Sequence, residues 1–345
     1  MRLTRMATVK RRTLALSAAF VGLVCVSLAG APPDAPTTYE FITVKYPSPY
    51  GTTLSGINNR HQVVGNTNGF PGGHAFLYEH GTFTDLNIPG ATVTTVTGIN
   101  DRGDIVGYYY PHLVKPGAAV SFIRSHDTVR SLSIPDEGNL ETFGINDLGE
   151  VVGLYSQPGT GLSHGFVFDE GNLLDIAYPG SRLTRATGIA DNGVVVGSAI
   201  PDQPVNGTVQ IGYRYRDQSF ETLIVPGSYI MNVGGTNNRE TVVGSWADAQ
   251  RFHGFVFQDG HYFTVDVPGS TNTFIWGIND HGDIVGAADA DGVIGLPRRG
   301  RQGGGSYRFP SDDNETGHVE TNDQPRQRYW GPSRQVDQKI QDREP

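Results

Sequence analysis

The chain contains one cysteine in 345 residues, Cys25, and it lies in an apolar stretch near the N-terminus. One thiol cannot form an internal disulfide. The body of the chain beyond it has neither a Cys-ligated zinc nor a thiolate nucleophile. Charge is sparse at 18 % of residues, and positive charge is sparsest: residues 32–297 hold 12 Lys and Arg against 27 Asp and Glu. Such a body repels phosphate backbones, so no nucleic-acid partner is expected. Its apolar runs fall short of the roughly 20 residues of a membrane-spanning helix. No window of the body has the 3.6-residue period of an amphipathic helix. Signatures of a nucleophile elbow, a phosphate-cradling loop or a zinc helix are missing. No catalytic residue, metal or cofactor is expected from these absences.

What is present begins with an export pattern. Arg2, Arg5, Lys10, Arg11 and Arg12 precede an apolar run from Leu14 to Leu28, followed by Ala29, Gly30 and Ala31. That order of basic, apolar and small residues marks 1–31 as a secretory signal peptide. An uncleaved anchor is the alternative. Gly22, Leu23 and Val24 fit poorly with lipid attachment at Cys25. After cleavage the mature chain has no membrane span and is expected to be secreted or periplasmic.

A ten-residue pattern then recurs. It reads GINNRHQVVG from Gly56, GINDRGDIVG from Gly98, GINDLGEVVG from Gly144, GIADNGVVVG from Gly188, GTNNRETVVG from Gly235 and GINDHGDIVG from Gly277. Successive copies are 42, 46, 44, 47 and 42 residues apart, and so steady a period marks a repeat architecture. Two further elements keep pace. One is a short aromatic segment, HAFLY from His74 or HGFVF from His164 and His253; the other alternates and ends at proline, as in YFTVDVP from Tyr262. Period-two alternation is a half-buried strand. The Asn-Asp-x-Gly segments between β-branched runs are tight hairpin turns, because Asn and Asp bond their own backbone and Gly tolerates positive φ.

Four strands per repeat predict an all-β, six-bladed β-propeller of four-stranded antiparallel blades over residues 32–297; an open β repeat array is the alternative. The chain opens with an alternating strand, Phe41 to Pro47, and shows none after the last hairpin. The N-terminal strand is therefore expected to complete the last blade and close the ring, leaving no open edge. A closed ring is expected to be monomeric. The pattern fails after Gly295, and the polar residues 298–345 are expected to be disordered. The HGFVF and HAFLY strands, with GIND-x-G-x-IVG, resemble the HAF-repeat family of bacterial extracellular repeat proteins over roughly residues 38–296. The fourth copy departs at Ala190, and the second and fourth lack the His of the aromatic strand. The resemblance implies export and a repeated β fold, and no activity.

Few residues stand out chemically. His74, His164 and His253 occupy equivalent positions, where a hydrogen bond to a neighbouring turn explains them. The pairs Asp101 and Asp104, Asp147 and Glu150, and Asp280 and Asp283 lack the dense oxygen ladder of a calcium loop and read as turn formers. Binding is expected on the face carrying the longer loops. Tyr109, Tyr110, His112, Tyr155 and Trp246 are the ligand-binding candidates, able to stack on sugar rings. The expected function is an extracytoplasmic binding or interaction module for a glycan or protein. A polysaccharide lyase or hydrolase and a structural envelope protein are the alternatives.

Overall fold

The computed structural model describes residues 38–297, apart from 69–72, 112–118 and 134–138. Residues 1–31, read above as an export signal, the tail 298–345 and His112 lie outside the described residues. Every regular element among the described residues is a strand. None is a helix long and apolar enough to cross a membrane.

The first strand is β1 (Tyr39–Val44). Repeat one gives β2 (Thr52–Ile57), β3 (Val63–Thr67), β4 (Ala75–Glu79) and β5 (Thr82–Asp85). Repeat two gives β6 (Val93–Ile99), β7 (Ile105–Tyr110), β8 (Val120–Ser125) and β9 (Thr128–Leu132). Repeat three gives β10 (Leu140–Ile145), β11 (Val151–Ser156), β12 (Ser163–Asp169) and β13 (Asn172–Ile176). Repeat four gives β14 (Ser181–Ile189), β15 (Val195–Pro201), β16 (Ile211–Arg216) and β17 (Ser219–Leu223). Repeat five gives β18 (Ile230–Thr236), β19 (Val242–Ala247), β20 (Phe252–Gln258) and β21 (His261–Val265). The last repeat gives β22 (Thr273–Ile278), β23 (Ile284–Ala288) and β24 (Asp291–Pro297).

Within each repeat neighbouring strands pair antiparallel in chain order. The six separate four-stranded sheets expected from the sequence become five: four of four strands and one of eight. The eight-stranded sheet contains two four-stranded units joined by a single parallel pair, Ser163 with Leu183. The cause is β14, which at nine residues starts early enough to reach the head of β12.

The N-terminal strand does join the last repeat. β1 pairs antiparallel with β24 over six residues, from Tyr39 with Pro297 to Val44 with Gly292. The sixth copy also continues beyond the point where its pattern fades. Asp291-Gly292-Val293-Ile294-Gly295 takes the place of HGFVF, with Val293 opposite Gly286 just as Phe255 lies opposite Gly244. Val293 and Gly295 fill the two Phe positions, which hides the strand from a search for aromatics.

Packing explains the two conserved-looking glycines of each ten-residue copy. The inner strand of every repeat carries a bulge, for instance between Thr142 and Gly144. It drives a carbonyl toward the glycine of the VVG segment. A Cβ on Gly153 would stand 2.1 Å from the Glu141 oxygen and 2.7 Å from the Phe166 ring. The rings of Phe76, Phe122, Phe166, Tyr213 and Phe255 are fully buried, and they form the centre of the core clusters that fill the sheet interfaces. The leading glycines meet one another. A Cβ on Gly56 would lie 3.2 Å from the Gly98 Cα, and the same approach runs through Gly144, Gly188, Gly235 and Gly277, whose Cβ would lie 3.1 Å from Gly56. This collar lets the inner strands converge where any side chain would hold them apart.

Candidate functional site

The two ends of the collar differ in chemistry. At one end lie the six tight turns. The second turn residue is Asn or Asp every time, and it accepts the backbone N–H of the equivalent residue in the preceding repeat. Asn59 N–H donates to Asp101 Oδ1 at 2.6 Å, Asp101 to Asp147 at 2.7 Å, and Asp147 to Asp191 at 2.9 Å. Asp191 donates to Asn238, Asn238 to Asp280 and Asp280 to Asn59, each at 2.8 Å. The cycle closes on itself. A second set of bonds runs beneath it, with Asn58 Nδ2 donating to the Asn100 carbonyl and Asn279 Nδ2 to the Asn58 carbonyl. The cavity these residues line is only about 70 Å³, room for about two waters and far below the ~300 Å³ and upward of ordinary ligand pockets.

Asp147 is the weak member of the ring. The side-chain amide of Asn59 bridges Asp101 and Asp280, at 2.6 and 2.9 Å, and that of Asn238 bridges Asp191 and Asp280, at 2.8 and 3.1 Å. Asp147 stands between Asp101 and Asp191, which are carboxylates like itself. Burial, followed by the charges of Asp101, Asp191 and Asp280, raises its pKa above the usual carboxylate range. The charged form is therefore disfavoured in the fold. The cost is fully present above the raised pKa and vanishes below the pKa of the unfolded chain. Asp147→Asn keeps the Oδ1 acceptor and adds an amide between the two neighbours. We expect it to be more stable than wild type by about 1 kcal/mol at neutral pH. Thermal melts at several pH values check this: the advantage should shrink as the pH falls through the carboxylate range.

The other end carries the longer loops and the predicted aromatic residues, and the structure separates these. Tyr109, Tyr155 and Trp246 sit two residues after the VVG glycine in three different repeats. Tyr109 packs into a core cluster beside Phe122. Tyr155 is 3 % exposed and its hydroxyl donates to Asp175 at 2.8 Å, so it offers no face for stacking. Tyr110 meets Tyr108 edge-on at 6.0 Å. Burial, followed by Glu141, pushes the Tyr108 hydroxyl up to about 12. The three equivalent histidines bond to residues at or just past the end of the outermost strand beside them: His74 to Asn87, His164 to Asp175 and His253 to Asp266.

Trp246 belongs to a richer cluster in repeat five. Its ring stacks on His253 at 4.6 Å and 20°. His253 Nδ1 lies 2.8 Å from Asp266 Oδ2, and its Nε2 lies 3.4 Å from Asp248 Oδ2. Arg251 Nη2 donates to the same Asp266 oxygen at 2.9 Å. Backbone N–H groups of Arg251 and Gln250 hold the Asp248 carboxyl below its usual range. Three buried side-chain polar atoms of the described residues lack a protein partner: Trp246 Nε1, Asp266 Oδ1 and Ser228 Oγ. All three lie at the loop end of repeat five. Tyr229, 55 % exposed, is held at the same end by its N–H to the Ala247 carbonyl. Tyr229, Asp248 and Asp266 escape a search for aromatic loops because Tyr229 follows a Pro-Gly turn, Asp266 belongs to the alternating segment YFTVDVP and Asp248 is a single acid in a loop.

The sheets place their innermost strands around one closed cycle of turns and glycines. The chain is a β-propeller. A structure of TolB described as putative, from Agrobacterium tumefaciens, superposes with a TM-score of 0.51 at 12 % identity, over 76 % of this chain and 99 % of that one. TolB from Acinetobacter baumannii gives 0.49 at 10 % identity, with 62 % of this propeller on 53 % of that chain; the match spans about half of that protein. A streptogramin B lyase gives 0.45 at 10 % identity, over 75 % and 98 %. At 12 % identity the likeness to the Agrobacterium structure shows the fold alone. No protein-family model matches the propeller, and no curated protein matches it in sequence.

Proposed function

We propose that this propeller is an exported binding module that takes a polyhydroxylated ligand, of the glycan class, at the loop end of repeat five. One observation carries the reading: two buried atoms without a protein hydrogen-bond partner, Trp246 Nε1 and Asp266 Oδ1, belong to the cluster built on the stacked Trp246–His253 pair. Unpaired buried polar groups are costly, and a sugar seated at this end offers hydroxyls to the accessible Asp248 and Asp266 carboxylates and an apolar face to an aromatic ring. Exposed Tyr229 extends the platform. The Asp248–His253–Asp266 arrangement favours acid–base chemistry as a second reading, that of a lyase or hydrolase.

The eight-stranded sheet is read as two blades that touch at one bridge, which makes six blades around the axis. The six-membered glycine collar and the six-membered turn cycle support that count. Kinship with HAF-repeat proteins, cleavage after the 1–31 segment, an extracytoplasmic address and a monomeric state complete the proposal. The test is a glycan array probed with the full chain, with released products followed in the same wells. Binding that falls at least about 30-fold in Trp246→Ala supports the module, since a central aromatic anchor carries about 2 kcal/mol. Shortened or unsaturated products would move the assignment to the enzyme, and silence across the array would remove the glycan.

A further inference from the structure

At the opposite end of the ring, independent of the reading above, one turn junction differs from the rest. The fourth turn residue adopts positive φ in every repeat. It is glycine in four of them: Gly103, Gly149, Gly193 and Gly282, at φ 79° to 95°. In repeats one and five it is His61 and Glu240, both at φ 60°. A side chain there is strained and persists where a contact offsets the cost. For Glu240 that contact is with Arg216, at 2.6 Å, and Arg214, at 3.5 Å.

His61 reaches across the seam between the first and last repeats, whose turns are joined by Asn279 and Asn58, 221 residues apart. Its Nε2 lies 3.2 Å from Asp283 Oδ2, with the two side chains only 12 % and 8 % exposed. Its ring is parallel to that of His281 at 5.4 Å and 6°. In repeat two the positions of His281 and Asp283 hold Arg102 and Asp104, an ordinary ion pair at 2.9 Å. Here an imidazole replaces the arginine, and a second imidazole replaces the neighbouring glycine. One ligand atom from each of His61, His281 and Asp283 falls within 4.8 Å of the others. Atoms bound to one tetrahedral ion at about 2 Å stand about 3.3 Å apart, so loading needs a contraction of up to about 1.5 Å.

We propose that His61, His281 and Asp283 form a divalent transition-metal site of the zinc class, which staples the first repeat to the last. Two imidazoles and a carboxylate are borderline ligands suited to zinc, cobalt or iron(II) rather than to calcium or magnesium. Asn279 Nδ2 donates to Asp283 Oδ2 at 2.9 Å and orients the carboxylate. Three protein ligands leave a coordination position for water.

The test uses the chain stripped with chelator and titrated with Co²⁺, followed by visible absorption and by competition with Zn²⁺. One equivalent should bind, and Zn²⁺ should raise the melting temperature. His281→Ala should weaken binding by more than about 100-fold, beyond the usual effect of an outer-shell partner. His61→Gly is the separating variant. It installs the residue found at four equivalent positions, so the stripped variant should melt no lower than stripped wild type, yet it should lose the metal response. Absence of a saturable cobalt spectrum, or binding unchanged in either variant, overturns the site.

Discussion

Excision of residues 38–48 is expected to leave the chain without a cooperative thermal transition. The segment supplies β1, the outermost strand of the last blade, and its six-residue ladder with β24 is what joins the first residues of the fold to the last. It buries Val44 at 1 % exposure, beside Leu54, Val285 and Ile294, and packs Ile42 and Tyr46 against the same cluster. Tyr39 and Phe41 cover a second cluster with Val265 and Ile284. A fully buried aliphatic or aromatic side chain is worth about 1.5–3 kcal/mol, so several together account for most of the roughly 5–15 kcal/mol of a typical domain. The deletion also exposes the edge of β24 to other chains, so aggregation should accompany the loss. Circular dichroism on heating and size-exclusion chromatography check both. An intact sharp transition near the wild-type temperature would sink the idea that β1 closes the ring.

The second large effect belongs to a single methyl group. Gly153→Ala places a Cβ 2.1 Å from the Glu141 carbonyl oxygen and against the Phe166 ring at 2.7 Å. Neither neighbour has room to retreat: the carbonyl belongs to the strand that bulges beside it, and Phe166 is at 0 % exposure. We expect a loss of at least about 3 kcal/mol, at the upper end of overpacking costs. Gly171→Ala is the matched control. Its φ is 94° with nothing within 4 Å of the new Cβ, so only backbone strain acts and the loss should stay near 1 kcal/mol. Denaturant melts of the pair isolate the steric term. Equal losses would show that the approach to the bulge is not what selects glycine.

The strands, their order within a repeat and the closing role of β1 were legible in the sequence because turn chemistry and period-two alternation are local. The third strand of the last repeat was not, since Val293 and Gly295 stand where the other repeats have Phe or Tyr, Arg124 excepted. Nor was the merging of two sheets, which depends on where Leu183 comes to lie beside Ser163. The candidate site divided in the same way. Trp246 was visible as a loop aromatic, whereas His253 reaches it only through strand pairing and Asp266 only through His253. Tyr155 carried the same signal and proved to be buried. Asp101, Asp147 and Asp280 looked like turn formers; their bonds to neighbouring repeats become visible only once the repeats are set in a circle. The invariant Asn or Asp at the second turn position was the available hint, because a turn alone does not demand it six times.

The pairing of Tyr39 with Pro297 also sets an order of events. Synthesis makes β1 before any other strand, yet its partner β24 emerges only after every blade has been made. A nascent chain can build hairpins and stack adjoining repeats as it lengthens, but its first strand stays single until the last is complete. Contacts of such long sequence separation are slow to form, and unpaired edges are where incomplete chains associate. The step that seals this molecule is thus necessarily the latest one, and a chain cut short anywhere before residue 291 leaves its own beginning unfolded.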